Sequence, residues 1–175
     1  SHTEQGEAAE WIHVTQALRF TSIGTVYAQA CATSRPHGSQ PAEESRHTLD
    51  RAMLALRPGP EQPAQFVFDR GHLGGPAGLL AFVVSVSEQD RATLEDQVVR
   101  QAQEQLGLKT LRPLQTVVEK RATFACTPGL RRPGNRVLSG LWAAGDYTDG
   151  PYPATLEGAI RSGLHAAQQT TGPRH

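Results

Sequence analysis

Apolar and polar positions come close to alternating over Thr21 to Ala30, with Ile23, Thr25 and Tyr27 on one side, and this predicts a strand. Upstream, residues 1–10 are polar and acidic and are expected to be an unstructured or added start, with Ser1-His2 set aside as a processed end. Glu10 to Arg19 is expected to form a short helix leading into the strand. Thr33 to Ser45 turns to Ser, Pro, Gly, His and Glu, the composition of a surface loop. Leu49 to Leu56 reads as one or two helical turns closed by Arg57-Pro-Gly-Pro60. Two apolar runs follow, Gln65 to Arg70 and Leu79 to Ser87, and both are expected to be strands. The glycine cluster between them, Gly71 to Gly78, does not fit a dinucleotide fingerprint: Leu73 stands where a glycine is needed, and a strand follows instead of a helix. A hairpin with antiparallel pairing is the better reading.

Ser87-Glu-Gln-Asp90 resembles a capping box, with Asp in place of Glu, and opens a helix expected to reach Leu106. Leu94, Val98, Ala102 and Leu106 recur every fourth residue on one face, the remaining faces are expected to be solvated, and Gly107 stops the helix. Leu111 to Ala125 is mostly strand with Pro113 near its entry, and Thr127 to Gly134 is a loop carrying Arg131 and Arg132. A short apolar strand, Leu141 to Ala144, precedes a Gly-Asp turn, and Thr155 to Gln169 forms the last helix. The sum is an α+β fold with a mainly antiparallel sheet and flanking helices. By organisation, residues 11–125 form one α+β region, 126–170 a terminal strand-turn-helix, and 171–175 a tail.

Composition removes several function classes. Lys plus Arg and Asp plus Glu stand at 17 each, so no net field steers the chain toward nucleic acid. The basic pairs Lys120-Arg121 and Arg131-Arg132 lack interleaved aromatics, which argues against nucleic acid as a partner. Cys31 and Cys126 show no framework spacing and are expected to be reduced thiols. The longest apolar run, Leu79 to Val86, is far below the ~20 residues of a membrane-spanning helix. The expected location is therefore the cytoplasm, with any membrane contact peripheral to the inner face. His2, His13, His37, His47, His72, His165 and His175 include no pair at metal-ligand spacing on one element, so no metal is expected. Asp69, Asp146, Asp149 and Glu157 offer carboxylates, but spacing selects no acid/base pair among them.

The terminal segment concentrates what chemistry the sequence offers. Gly140-Leu-Trp-Ala-Ala-Gly-Asp146 places a carboxylate at the carboxyl end of a strand, and Tyr152-Pro-Ala-Thr-Leu-Glu-Gly-Ala159 opens a helix close by. Bare amides at a helix start and a nearby carboxylate suit a polar, partly anionic ligand. Gly158, Ala159, Ser162 and Gly163 would let another backbone, or a cofactor, approach the helix closely. An ordinary strand-turn-helix explains the same residues, and spacing alone leaves both readings open.

These blocks resemble the C-terminal part of the flavin-containing amine oxidase superfamily. With Thr25-Val-Tyr27, Gln65-Phe-Val-Phe-Asp-Arg-Gly71, Glu119-Lys-Arg-Ala-Thr-Phe-Ala125 and Thr127-Pro-Gly-Leu-Arg-Arg-Pro133, they resemble its squalene-associated FAD-dependent desaturase group, the hydroxysqualene dehydroxylases. The resemblance spans roughly residues 11–170. It implies an FAD-dependent oxidoreductase converting hydroxysqualene to squalene in hopanoid biosynthesis, with a hydrophobic isoprenoid as substrate. It also implies that the sheet is a substrate lobe and that the terminal segment faces FAD. By position it assigns Gly145 and Asp146 to the ribityl and pyrophosphate part of FAD. Pro153, Ala154, Thr155 and Leu156, at the start of the last helix, fall near the flavin ring, where the helix dipole favours negative charge. Tyr27, Phe66, Phe68 and Phe82 become candidates for lining a hydrocarbon tunnel, and no catalytic side chain is assigned because the flavin carries the chemistry. The chain departs from the family in lacking the opening strand and G-x-G-x-x-G. The expectation is a C-terminal fragment that does not retain FAD alone. Two other readings remain: a superfamily relative acting on an amine or carotenoid precursor, and a stand-alone binding module.

Overall fold

The computed structural model describes residues 2–30, 47–85 and 90–171. They form two compact units, residues 21–122 and residues 1–20 with 123–175. The first 20 residues thus group with the C-terminal segment and not with the sheet region to which 11–20 were assigned by sequence.

The larger unit is built on a five-stranded sheet in the order β2-β3-β4-β1-β5. Its strands are β1 (Phe20–Ala30), β2 (Met53–Ala55), β3 (Phe66–Asp69), β4 (Leu79–Ser85) and β5 (Leu111–Phe124). Strand β4 pairs antiparallel with both β3 and β1, as the hairpin reading of the glycine cluster requires. The connection from β3 to β4 is not a bare turn, because Arg70–Leu73 forms a 3-10 helix capped by Asp69. Pro113 lies in β5, an edge strand, where a missing amide disrupts no inner ladder.

Where Leu49 to Leu56 was expected to be helical, Met53–Ala55 is a strand paired with Phe68 to Phe66. Leu-Ala-rich composition favours a helix, but so short a segment cannot offset the cost of helix nucleation. Pairing with β3 and burial of Leu56 decide the outcome. The loop expected over Thr33 to Ser45 lies outside the described residues.

Helix α2 (Arg91–Leu106) covers one face of the sheet with the expected stripe: Leu94, Val98 and Ala102 are fully buried and Leu106 packs at the edge of the same cluster. Burying each of the larger side chains contributes about 1.5–3 kcal/mol. Two corrections concern its polar residues. Asp90, not Ser87, is the N-cap, its carboxylate accepting from the Thr93 amide at 3.0 Å; Ser87 itself lies outside the described residues. Gln97 and Gln101 are buried where solvated faces were expected. The Gln101 amide imitates a backbone peptide, accepting from Ala64 N and donating to Ala64 O, both at 2.9 Å. Gly107 closes the helix at φ 69°, in the left-handed region where glycine carries no Cβ penalty.

The Asp90 cap carries a pH signature. Hydrogen bonds from Thr93 hold its carboxyl below the usual carboxylate value. Its contribution is therefore complete above the ordinary value of about 3.9 and is lost as pH falls through the depressed folded value. In acid titrations of urea-unfolding midpoints, Asp90→Ala should remove this part of the decline and lower stability at neutral pH. Parallel acid profiles for the variant and the wild type would contradict the assignment.

The smaller unit contains α1 (His2–Gln16), a two-stranded sheet of β6 (Arg136–Leu138) and β7 (Leu141–Trp142), and α3 (Leu156–Thr171). Residues 3–10, expected to be unstructured, are helical. Helix α1 has no clear apolar stripe to announce it; side chains tie it to β6 and the loop before it. Trp11 Nε1 donates to Gly134 O at 2.7 Å, and Glu10 and Glu7 pair with Arg131 and Arg136 at 2.7 and 3.7 Å.

Candidate functional site

The Gly-Asp turn and the start of α3 are joined by a polar cluster built around Ser162, which is buried. Ser162 Oγ accepts from Asn135 Nδ2 at 2.7 Å and from Gly145 N at 3.1 Å, and it shares a 2.7 Å contact with Thr148 Oγ1. Thr148 Oγ1 spends its proton on Gly145 O at 2.9 Å. The Ser162 hydroxyl must therefore donate to Thr148, which leaves Ser162 with one bond given and two accepted, its full capacity. Ser162, read by sequence as a small packing residue, is instead the hinge pin of the turn. Asn135 and Thr148 belong to no sequence motif, because their roles arise only when three separate segments meet.

Arg132 fixes the next stretch of loop. Its guanidinium donates to Thr148 O at 2.6 Å and Gly150 O at 2.5 Å and approaches Asp149 Oδ1 at 3.4 Å. Only 12% of this side chain is exposed, so these bonds hold in a screened setting and the arginine acts as a strut.

The loop from Asp146 folds back on itself: Ala154 N donates to Asp146 O at 3.3 Å. Tyr152 and Ala154 both take left-handed backbone conformations, at φ 59° and 56°. For residues other than glycine this costs about 1–2 kcal/mol each, and such outliers gather where function holds the chain in place. Thr155 is the N-cap of α3, its hydroxyl accepting from Gly158 N at 3.0 Å. The amides of Leu156 and Glu157 lie in the first turn, where no intrahelical partner exists. Gly158 is required by close approach, since a Cβ there would sit 2.2 Å from Tyr152 O.

Among the carboxylates, three have structural duties. Asp69 is buried and caps the 3-10 helix, Asp149 meets Arg132, and Glu157 pairs with Arg161 at 2.5 Å along α3. Asp146 has no hydrogen-bond partner for its carboxylate among the described residues. It borders a cavity of about 490 Å³ whose wall also includes Asn135, Gly158, Arg161 and His165. Asp146 is thus joined to Ala154 within one unit, Gly145 is held through Ser162, Thr155 and Leu156 follow at the start of α3, and Pro153 lies on the connecting loop.

The four tunnel candidates divide between the two faces of the sheet. Tyr27 and Phe68 both sit opposite Ala81, in one cross-strand row that ends at Met53; Phe66 falls in the neighbouring row, opposite Val83. Phe66 and Met53 are 40% and 49% exposed, so this face carries accessible apolar surface. Phe82 is on the other face, opposite Val26 and Val67, and is fully buried in the core that includes the α2 stripe. It is a core residue, corrected from the lining set.

Asp69, His47 and His72 also converge, each offering a ligand atom within 4.8 Å of the others. No sequence spacing announced this group, because His47 lies on a different segment from the other two.

The flavin containing amine oxidoreductase family matches residues 15–171, and the chain belongs to it. Within that family, 60 residues are 52% identical to hydroxysqualene dehydroxylase of Rhodopseudomonas palustris and 48% identical to that of Sinorhizobium fredii. The matched stretch is 33% of this chain and 14% of each relative's length. A solved oxidoreductase from Methanosarcina mazei shares the fold at a TM-score of 0.57 with 17% identity, over 92% of this chain and 37% of its own. Among the described residues, no helix is long and apolar enough to cross a membrane.

Proposed function

We propose that this chain is the flavin-facing and substrate-facing part of an FAD-dependent oxidoreductase that converts hydroxysqualene to squalene, a step toward hopanoids. The observation that carries the reading is the Gly145-Asp146 turn locked beside the start of α3. It combines a carboxylate without a hydrogen-bond partner among the described residues, a strained loop whose Ala154 amide returns to Asp146 O, and the first-turn amides of the helix that follows. These residues fit the ribityl and ring portions of FAD. Asp146 can accept from ribityl hydroxyls, Gly145 presents no side chain there, and the α3 amides near Ala154, Thr155 and Leu156 favour negative charge on the ligand. Flavin bound in its reduced form would supply the hydride that replaces the substrate hydroxyl, which would leave with a proton as water while the flavin is left oxidised. The chain's own residues orient the cofactor, while Tyr27, Phe66 and Phe68 offer an apolar wall to a long hydrocarbon. The percentage identity to two hydroxysqualene dehydroxylases favours this substrate over amines or carotenoid precursors.

No G-x-G-x-x-G occurs in these 175 residues, so the grip on the ADP half of FAD must come from elsewhere in the working enzyme. The purified chain is expected to show no stoichiometric flavin absorbance. Joined to a dinucleotide-binding segment carrying the motif, it should bind FAD and, with a reductant such as dithionite supplied to reduce the flavin, form squalene from hydroxysqualene. In that assembly Asp146→Ala should weaken FAD binding about 10- to 100-fold, the value of a charged hydrogen bond. Unchanged affinity in Asp146→Ala, or full flavin occupancy of the chain alone, would sink the assignment.

A further inference from the structure

We propose that His47, Asp69 and His72 form a binding site for a divalent transition-metal ion of the zinc class, separate from the flavin-facing turn. The three offer two imidazoles and a carboxylate, a donor set suited to Zn²⁺, Co²⁺ or Fe²⁺.

Each side chain is prepared for the task by its own partners. His72 Nε2 lies 2.8 Å from Leu49 O. A carbonyl only accepts, so Nε2 carries the proton and Nδ1 is the bare nitrogen of the neutral ring. Metal-binding histidines are fixed in this way, by donating the far N–H to a carbonyl or carboxylate. Asp69 is fully buried and held by backbone amides: Oδ2 accepts from Thr48 N at 2.6 Å and Leu49 N at 2.9 Å, and Oδ1 from Gly71 N at 2.9 Å. Two oxygens offer about four lone-pair positions, so Oδ1 keeps one for a cation. His47 supplies the adaptable ligand. It is exposed, and its ring stacks on that of His72 with centroids 3.6 Å apart and planes 17° from parallel.

Stacking brings the rings together but does not aim both lone pairs at one point. Binding requires the His47 ring to turn and the donors, now within 4.8 Å of one another, to settle at the roughly 3.4 Å edge of a tetrahedral site with bonds near 2.1 Å. An exposed side chain can make that movement; Asp69 and His72 need not. Three protein ligands leave a fourth position for water. The ion would fasten His47 to the corner where β3 ends.

The test uses the full chain, stripped with a chelator and titrated with Zn²⁺ by calorimetry and with Co²⁺ by visible absorption. The expected result is one site whose affinity falls at least tenfold in His47→Ala and in His72→Ala, with loss of the Co²⁺ bands. His2, His13, His165 and other histidines bind weakly as background, so the His47→Ala/His72→Ala double variant sets the baseline. If His72→Ala fails to fold, His47→Ala alone decides, because that side chain is exposed. Zinc binding no tighter than the baseline, or untouched by His47→Ala, overturns the proposal.

Discussion

Asp69→Ala should lower the stability of the chain by about 3–5 kcal/mol, measured by urea unfolding in the presence of chelator so that no metal contributes. The carboxylate accepts three backbone amides inside the protein, from Thr48, Leu49 and Gly71. Removing it leaves those donors with nothing to replace water, and an unmade buried bond costs about 1–3 kcal/mol. Domains are stable by only about 5–15 kcal/mol in total, so much of the margin goes with one side chain. Asp69→Asn keeps one carbonyl oxygen and should lose about half as much. A loss below about 1 kcal/mol for the alanine variant would mean that the corner holds without its cap.

The second large effect is expected at Gly158. In a helix, Gly→Ala ordinarily stabilises by about 1 kcal/mol through chain entropy. Here the new Cβ would lie 2.2 Å from Tyr152 O, and the neighbour is backbone with its own left-handed strain. Overlap outweighs propensity, so Gly158→Ala should destabilise the chain by about 2 kcal/mol or more. In the flavin-binding assembly, displacement of Tyr152 and Ala154 should weaken FAD binding as well. Calorimetric melting reads the first effect and flavin titration the second. A variant that melts higher than the wild type would show that the loop gives way freely.

The sheet was readable because local chemistry and tertiary need agree there. Val67 and Phe82 sit in strands whose neighbours alternate or are wholly apolar, and the α2 stripe at Leu94, Val98 and Ala102 has one possible use. Reading failed where a segment's structure is imposed from outside. Met53–Ala55 is a strand because β3 is beside it, and α1 is a helix whose attachments, through Trp11 and Glu10, lie more than a hundred residues downstream. The turn at Gly145-Asp146 could be found from its motif. Its supports could not: Asn135, Thr148 and Arg132 are ordinary loop residues until the fold supplies their partners. The same holds for His47, which meets Asp69 and His72 only across the chain.

The cluster that fixes the turn to α3 has a further property. Asn135, Thr148 and Ser162 contain no group that gains or loses a proton in water near neutral pH, and their hydrogen bonds admit one assignment of donors. The frame that carries Asp146 and His165 in the cavity wall therefore keeps the same hydrogen bonds across the neutral range. The scaffold is deaf to pH, so a change of cofactor binding with pH would not report collapse of this support.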